Sequence, residues 1–138
     1  MSDVITFGNY VIAKDRRYTE KHMWVKVLEG SRARVGISDY AKKKLKSIVY
    51  VEPPEVPKEV KAGDLITTIE SIKAVGELVA PVAGRVVAWN ERLDESPELI
   101  NEDPYGEGWV VEMEVEDPSQ VESLLTPEQY LEVIKKEG

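Results

Sequence analysis

The residue whose surroundings most suggest chemistry is Lys73, in the segment Glu70-Ser71-Ile72-Lys73-Ala74-Val75-Gly76-Glu77. This segment lies between two predicted strands, where a tight reversal ordinarily carries Asn-Gly or other glycine chemistry. Here Ile72, Lys73 and Ala74 occupy the reversal. An amine held out on a stiff hairpin is open to acylation by another enzyme, which turns it into a neutral amide on a long arm. Such an arm can carry a reactive head that the chain itself lacks. The plainer reading is a solvated lysine on an exposed tip, as most lysines of the chain must be. Other catalytic material is scarce. With no cysteine, the chain has no disulfide, thiolate metal site or cysteine nucleophile. Its one histidine, His22, excludes a multi-histidine metal site and has no evident nucleophile partner. His22 is therefore read as a packed or capping side chain beside Trp24. Neither a metal site nor an enzymatic activity of the chain's own is expected.

The elements that must position Lys73 read mostly as short strands. Trp24 to Leu28 is apolar and β-branched, Glu29-Gly30-Ser31 turns, and Arg32 to Ile37 alternates to complete a hairpin. Ser38-Asp39 supplies an N-cap for an amphipathic helix from Tyr40 to Lys46. Tyr40, Ala41, Leu45 and Ile48 share its apolar side, and Lys42, Lys43, Lys44 and Lys46 are expected to be mainly solvated. Ile48 to Val51 is the next strand, stopped by Pro53, Pro54 and Pro57. Leu65 to Glu70 leads into the lysine segment, and the chain is apolar again from Leu78 to Val82. Arg85 to Trp89 is a strand. Residues 90 to 108 are polar and are expected to form a long irregular connection. Trp109 to Val115 alternates, with Val111, Met113 and Val115 inward and Glu112 and Glu114 outward. Pro118 opens a final helical region, in which Thr126-Pro127 caps a helix carrying Tyr130, Leu131 and Ile134. Val60 to Ile66 and Pro81 to Val87 each set a glycine turn ahead of a strand, a weak internal likeness that frames the lysine segment. The sum is one mainly β domain over residues 1–138, with a short internal helix and a C-terminal helix.

At 138 residues, 42% hydrophobic and 32% charged, the chain suits one globular domain. No apolar run approaches the ~18 residues of a membrane span. The opening MSDVITFGNY lacks a basic region followed by an apolar stretch. A cytoplasmic protein that does not bind membranes is expected. The net charge of −8 is uneven: residues 1–90 hold 15 Lys/Arg against 11 Asp/Glu, and residues 91–138 hold 3 against 15. That acidic half disfavours nucleic acid and suits either basic partners or plain solubility.

Along nearly its whole length, from about Tyr18 to Tyr130, the chain resembles the glycine cleavage system H proteins, a family of lipoyl carriers. The resemblance rests on Tyr18-Thr19 with His22 and Trp24, on Val35 to Ala41, and on Val51-Glu52 with Pro54. It rests further on Glu70-Ser71-Ile72-Lys73-Ala74, on Ala80 to Gly84, and on the run from Ser96 to Trp109. It implies a lipoyl/biotinyl-type barrel-sandwich hybrid, with two antiparallel sheets and flanking helices. Lipoate would be attached to Lys73 within the flanking motif Glu70, Ser71, Ile72 and Ala74. Biotin carriers typically place methionine on both sides of their lysine, so Ile72 and Ala74 favour lipoate. The implied protein is a monomer and a shuttle without catalysis of its own, modified by a lipoate ligase or lipoyl transferase. It carries the aminomethyl group of glycine between glycine decarboxylase, an aminomethyltransferase and dihydrolipoyl dehydrogenase.

The sequence departs from that family at three places. His22-Met23-Trp24 stands where members usually have His-Glu-Trp, which puts methionine where a carboxylate would face the cargo in the arm's cleft. Lys44 stands where some members carry histidine, and Gly76-Glu77 replaces a small polar residue and aspartate. An alternative is therefore an H-like lipoate-binding protein that carries a sulfur-bonded intermediate in sulfur oxidation, with heterodisulfide-reductase-like partners. A further alternative is an unmodified structural or interaction domain.

Overall fold

The structure, a computed structural model, describes residues 3–137. Its first element is one that the sequence pattern did not reveal. Strands β1 (Val4–Phe7) and β2 (Tyr10–Ala13) pair antiparallel in a hairpin that stands apart from the other sheets. Strands β3 (Arg17–Tyr18), β4 (Met23–Glu29) and β5 (Arg32–Ile37) follow as an antiparallel run. Helix α1 (Asp39–Leu45) then opens at Ser38, whose hydroxyl accepts from the Ala41 N–H at 3.2 Å, as the sequence predicts.

Next come β6 (Ile48–Val51), β7 (Lys58–Val60), β8 (Leu65–Ser71), β9 (Val75–Val79) and β10 (Gly84–Trp89). Residues 90–108 are not the irregular connection expected of them. They contain two single helical turns, α2 (Arg92–Glu95) and α3 (Leu99–Glu102), because Leu93 and Ile100 are drawn fully into the core. Strand β11 (Val111–Val115), helix α4 (Ser119–Glu122) and helix α5 (Pro127–Glu137) complete the chain.

Two antiparallel sheets enclose the main core. One runs β3-β4-β5-β11-β10-β7 and the other β6-β8-β9. Val25, Val35, Val86, Val111 and Met113 from the first meet Val51, Ile66, Ile69 and Leu78 from the second in a single buried cluster. The period-2 alternation of β11 holds: Val111, Met113 and Val115 are buried and Glu114 is exposed.

A second, aromatic cluster gathers Tyr18, Trp24, Tyr40 and Tyr130 with Ile12 and Ile134, and so joins β2, β4, α1 and α5. The β1–β2 hairpin is fixed to it by the Val11 N–H donating to the Asp39 carboxylate at 2.9 Å and by Tyr105 O–H donating to the Val11 carbonyl at 2.6 Å. Trp24 lies flat over Gly36, where a Cβ would come within 2.7 Å of the indole, and its N–H donates to the Pro104 carbonyl at 3.0 Å.

The lysine run of α1 is less solvated than expected. Asp39 is only 5% exposed and attracts Lys43 Nζ to 3.0 Å and Lys42 Nζ to 3.5 Å. Lys42 also donates to the Asn101 carbonyl and Lys43 to that of Asn9. Only Lys44 and Lys46 of the four are fully exposed. A nearly buried carboxylate demands paired cations, and this one takes them from its own helix.

Candidate functional site

Lys73 sits at the tip of the β8–β9 hairpin, just beyond the pair Glu70↔Val75. Ser71 builds the turn. Its N–H donates to the Ala74 carbonyl at 2.8 Å, and its hydroxyl donates to the same carbonyl at 3.0 Å. The hydroxyl also accepts from the Lys73 N–H at 3.2 Å and the Ala74 N–H at 3.0 Å. One donated and two accepted bonds exhaust the capacity of a serine hydroxyl. No residue of the turn has positive φ, so the reversal needs no glycine.

The Ile72 N–H donates to the Ser47 carbonyl at 3.1 Å and ties the tip to the start of β6. Glu70, half-buried, lies opposite Tyr50 of β6 in the ladder. Ile72, Lys73, Ala74 and Val75 are all exposed, and the Lys73 ammonium has no hydrogen-bond or ion-pair partner among the described residues. The five residues of the predicted motif thus run from the end of β8 through one hydrogen-bonded turn, and the Lys73 amine has no partner among the described residues.

Three and four residues beyond Lys73, Gly76 and Glu77 enter the wall of a cleft of about 410 Å³. At about 3.4 Å per strand residue, Gly76 is on the order of 10 Å from the lysine. Met23, Ile37, Leu45 and Ile69 line the cleft with apolar surface, and Lys21, Lys44, Glu77 and Glu137 bring charge to it. A Cβ on Gly76 would approach Leu45 Cδ1 to 3.0 Å, so glycine lets the Leu45 side chain of α1 pack directly on the hairpin. An arm of methylenes on Lys73 fits this environment, with an apolar lining within reach.

Met23, which the resemblance assigns to the arm's cleft, lines this cavity. It is 4% exposed, and its thioether accepts from the Thr19 hydroxyl at 3.7 Å. Lys44 also lines the cleft, with Nζ 5.2 Å from the Tyr40 ring centroid.

His22 is packed, as expected, against Tyr40 (4.8 Å between centroids) and Tyr130 (5.6 Å). Its backbone is left-handed at φ 75. Its ring joins a hydrogen-bonded chain that the sequence did not suggest. Ser38 Oγ is 2.6 Å from the Tyr130 hydroxyl, that hydroxyl is 2.8 Å from His22 Nδ1, and His22 Nε2 is 3.0 Å from Glu137 Oε1. Burial pushes the Tyr130 phenol well above its ordinary value, so the hydroxyl keeps its proton. Tyr130 and Glu137 are separated from His22 by 108 and 115 residues, and no local pattern could have paired them. Among the described residues no group of histidine, aspartate and glutamate side chains is arranged to hold a metal.

A family model described as Glycine cleavage H-protein matches residues 16–137. The chain belongs to the glycine cleavage H-protein family. It is 53% identical to the probable glycine cleavage system H protein of Aeropyrum pernix, over 92% of this chain and 88% of that one. It is 44% identical to the glycine cleavage system H protein of Carboxydothermus hydrogenoformans, over 93% of this chain and 98% of that one. The crystal structure of a glycine cleavage system H protein from Mycobacterium marinum superposes with a TM-score of 0.78 at 36% identity, covering 88% of this chain and 97% of the other.

As a glycine cleavage H-protein, the chain has the lipoyl-domain barrel-sandwich fold. Proteins of this family carry lipoate covalently on a lysine and act as shuttles rather than catalysts. The chain is a lipoyl carrier of glycine cleavage, and these relatives lend no support to the sulfur-oxidation alternative. No helix among the described residues is long and apolar enough to cross a membrane.

Proposed function

We propose that Lys73 is the lipoylated residue, on one carrier domain spanning residues 1–138. The observation that carries this is the unpartnered Lys73 amine on a serine-built turn beside an apolar cleft. Lipoate supplies a ring disulfide that opens to accept a one-carbon amine and closes again on oxidation. The chain's own residues hold and shelter. Glu70, Ser71, Ile72 and Ala74 present the amine in a fixed geometry to a lipoate ligase or lipoyl transferase. Met23, Leu45 and Ile69 give the arm an apolar resting place that excludes water from its labile cargo. Tethering raises the effective concentration of that cargo at each partner. The partners in this reading are glycine decarboxylase, an aminomethyltransferase and dihydrolipoyl dehydrogenase, met in the cytoplasm by a monomer.

Lys73→Arg tests the assignment. Arginine keeps charge and approximate reach, but its guanidinium is not a nucleophile that a lipoyl ligase can use. After co-expression with a ligase, intact mass is expected to show one lipoyl increment on the parent and none on the variant, with unchanged thermal unfolding. A lipoylated variant would sink the assignment.

A further inference from the structure

Met23 leaves the floor of the cleft without a charge that could balance a cation. An aminomethyl group brought there as an ammonium would lose water, which is costly unless a carboxylate receives it. Two carboxylates line the cleft, Glu77 on β9 and Glu137 at the end of α5. They differ in how they are held. The Glu77 carboxylate is exposed and has no hydrogen-bond partner among the described residues. Glu137 is gripped by His22 Nε2 at 3.0 Å.

The proton order of that grip follows from the donors available. A carboxylate only accepts, so Nε2 carries the hydrogen. On its other side the ring meets the Tyr130 hydroxyl, 2.8 Å from Nδ1, and that hydroxyl is 2.6 Å from Ser38 Oγ. The Ser38 hydroxyl also accepts from the Ala41 N–H, so the contacts run unbroken from the N-cap of α1 to the cleft. One Glu137 oxygen is engaged by His22, and the other has no hydrogen-bond partner among the described residues.

The position also runs against local preference. A carboxylate in the last turn of a helix opposes the macrodipole, whereas the neighbouring Lys135 and Lys136 suit it. Lys21 and Lys44 also line the cleft, but their ammonium groups end long flexible stems that can turn to solvent.

We propose that Glu137 is a specificity-determining residue of this carrier: its carboxylate, oriented by the Ser38–Tyr130–His22 chain, pairs with the ammonium of the aminomethyl cargo at rest. The inference rests on Lys73 bearing the lipoyl arm. Expulsion of the thiol needs the lone pair of the cargo nitrogen. A carboxylate that keeps this nitrogen protonated therefore slows hydrolysis of the loaded arm to thiol, formaldehyde and ammonium.

The test uses the full lipoylated chain loaded with a 13C-labelled aminomethyl group, as parent, Glu137→Gln and Glu77→Gln. Glutamine keeps an acceptor for the His22 Nε2–H and removes only the charge. Intact mass is expected to show cargo loss about three- to fivefold faster in Glu137→Gln, the scale of one partly exposed ion pair. The methylene 13C shift is expected to titrate at lower pH in that variant, and salt should speed cargo loss less than it does in the parent. Equal decay and equal titration in parent and Glu137→Gln would overturn the proposal. So would an effect confined to Glu77→Gln. A parent with no lipoyl increment overturns the Lys73 reading along with this one; an increment with unaltered variant behaviour overturns this one alone.

Discussion

Ser71 is the residue on which the presentation of Lys73 depends. Its hydroxyl closes the reversal by three hydrogen bonds, and this explains how Ile72 and Lys73 can stand where a hairpin ordinarily needs glycine. Ser71→Ala removes all three while leaving the Ser71 N–H to Ala74 carbonyl bond. The expected result is a looser tip on an intact fold. Amide exchange at Lys73 and Ala74 should quicken several-fold, and global stability should fall by about 0.5–1.5 kcal/mol. Hydrogen exchange resolved by residue and a urea titration check the two parts. Met23 makes the opposite kind of contribution, an uncharged floor. Met23→Glu places a carboxylate in a position only 4% exposed, so it should lower the melting temperature of the unloaded protein. With the arm loaded, the same carboxylate should slow loss of the aminomethyl group. Equal decay in parent and variant would show that Met23 is not part of the resting site.

At the scale of elements, α1 walls the cleft, and the β5–β11 ladder crosses the larger sheet. Ser38 caps α1 and its hydroxyl also bonds that of Tyr130, so Ser38→Ala removes two contacts. A cost of about 1–2 kcal/mol in urea unfolding is expected, with Ser38→Thr recovering most of it. Across the ladder, Glu112 takes Arg32 Nη2 at 2.7 Å and Arg34 Nε at 2.8 Å. Burial works against its charge, but the hydrogen bonds from Arg34 and Arg32 outweigh that and hold the carboxyl below its ordinary 4.5. A carboxyl depressed in the folded state stabilises fully above its unfolded value, and that stability is lost as pH falls through the folded value. Glu112→Gln should therefore lower the melting temperature at pH 7 and flatten its decline below about pH 4.5. Parallel melts of parent and variant from pH 7 to pH 3 check the sign. The cap and the alternation of β11 were legible because both are local patterns. The turns at Arg92–Glu95 and Leu99–Glu102 were not, because each is one turn long and exists to bury Leu93 or Ile100. The β1–β2 hairpin is likewise held by partners far along the chain, Asp39 and Tyr105.

For the whole molecule, the site divides the same way. Lys73 and its neighbours form a continuous segment and could be read directly. Glu137 reaches the cleft and Tyr130 reaches His22 only when α5 packs against β3 and β2, and nothing near His22 in sequence announces them. The charge split was also legible, and the fold gives it a place. Glu91, Asp94, Glu95, Glu98 and Glu102 are all exposed on and between α2 and α3. Asn101 ties that segment to the start of β6, which borders the tip of the lysine hairpin, donating to the Lys46 carbonyl at 2.7 Å and accepting from the Ile48 N–H at 2.8 Å. An enzyme that receives the Lys73 arm must therefore approach beside an acidic surface. If its own face is basic, long-range attraction speeds the encounter, and salt removes that gain as the Debye length shrinks to about 10 Å at 0.1 M. Association with a purified aminomethyltransferase is expected to slow about tenfold between low and physiological ionic strength, with the dissociation rate little changed. Replacing Glu95, Glu98 and Glu102 together by glutamine should reduce that salt slope without touching the lipoylation of Lys73. Stopped-flow association rates across a salt series decide it. A parent on-rate indifferent to salt would leave the acidic half as a device for solubility, and a slope unchanged in the triple variant would move the docking face elsewhere on the molecule.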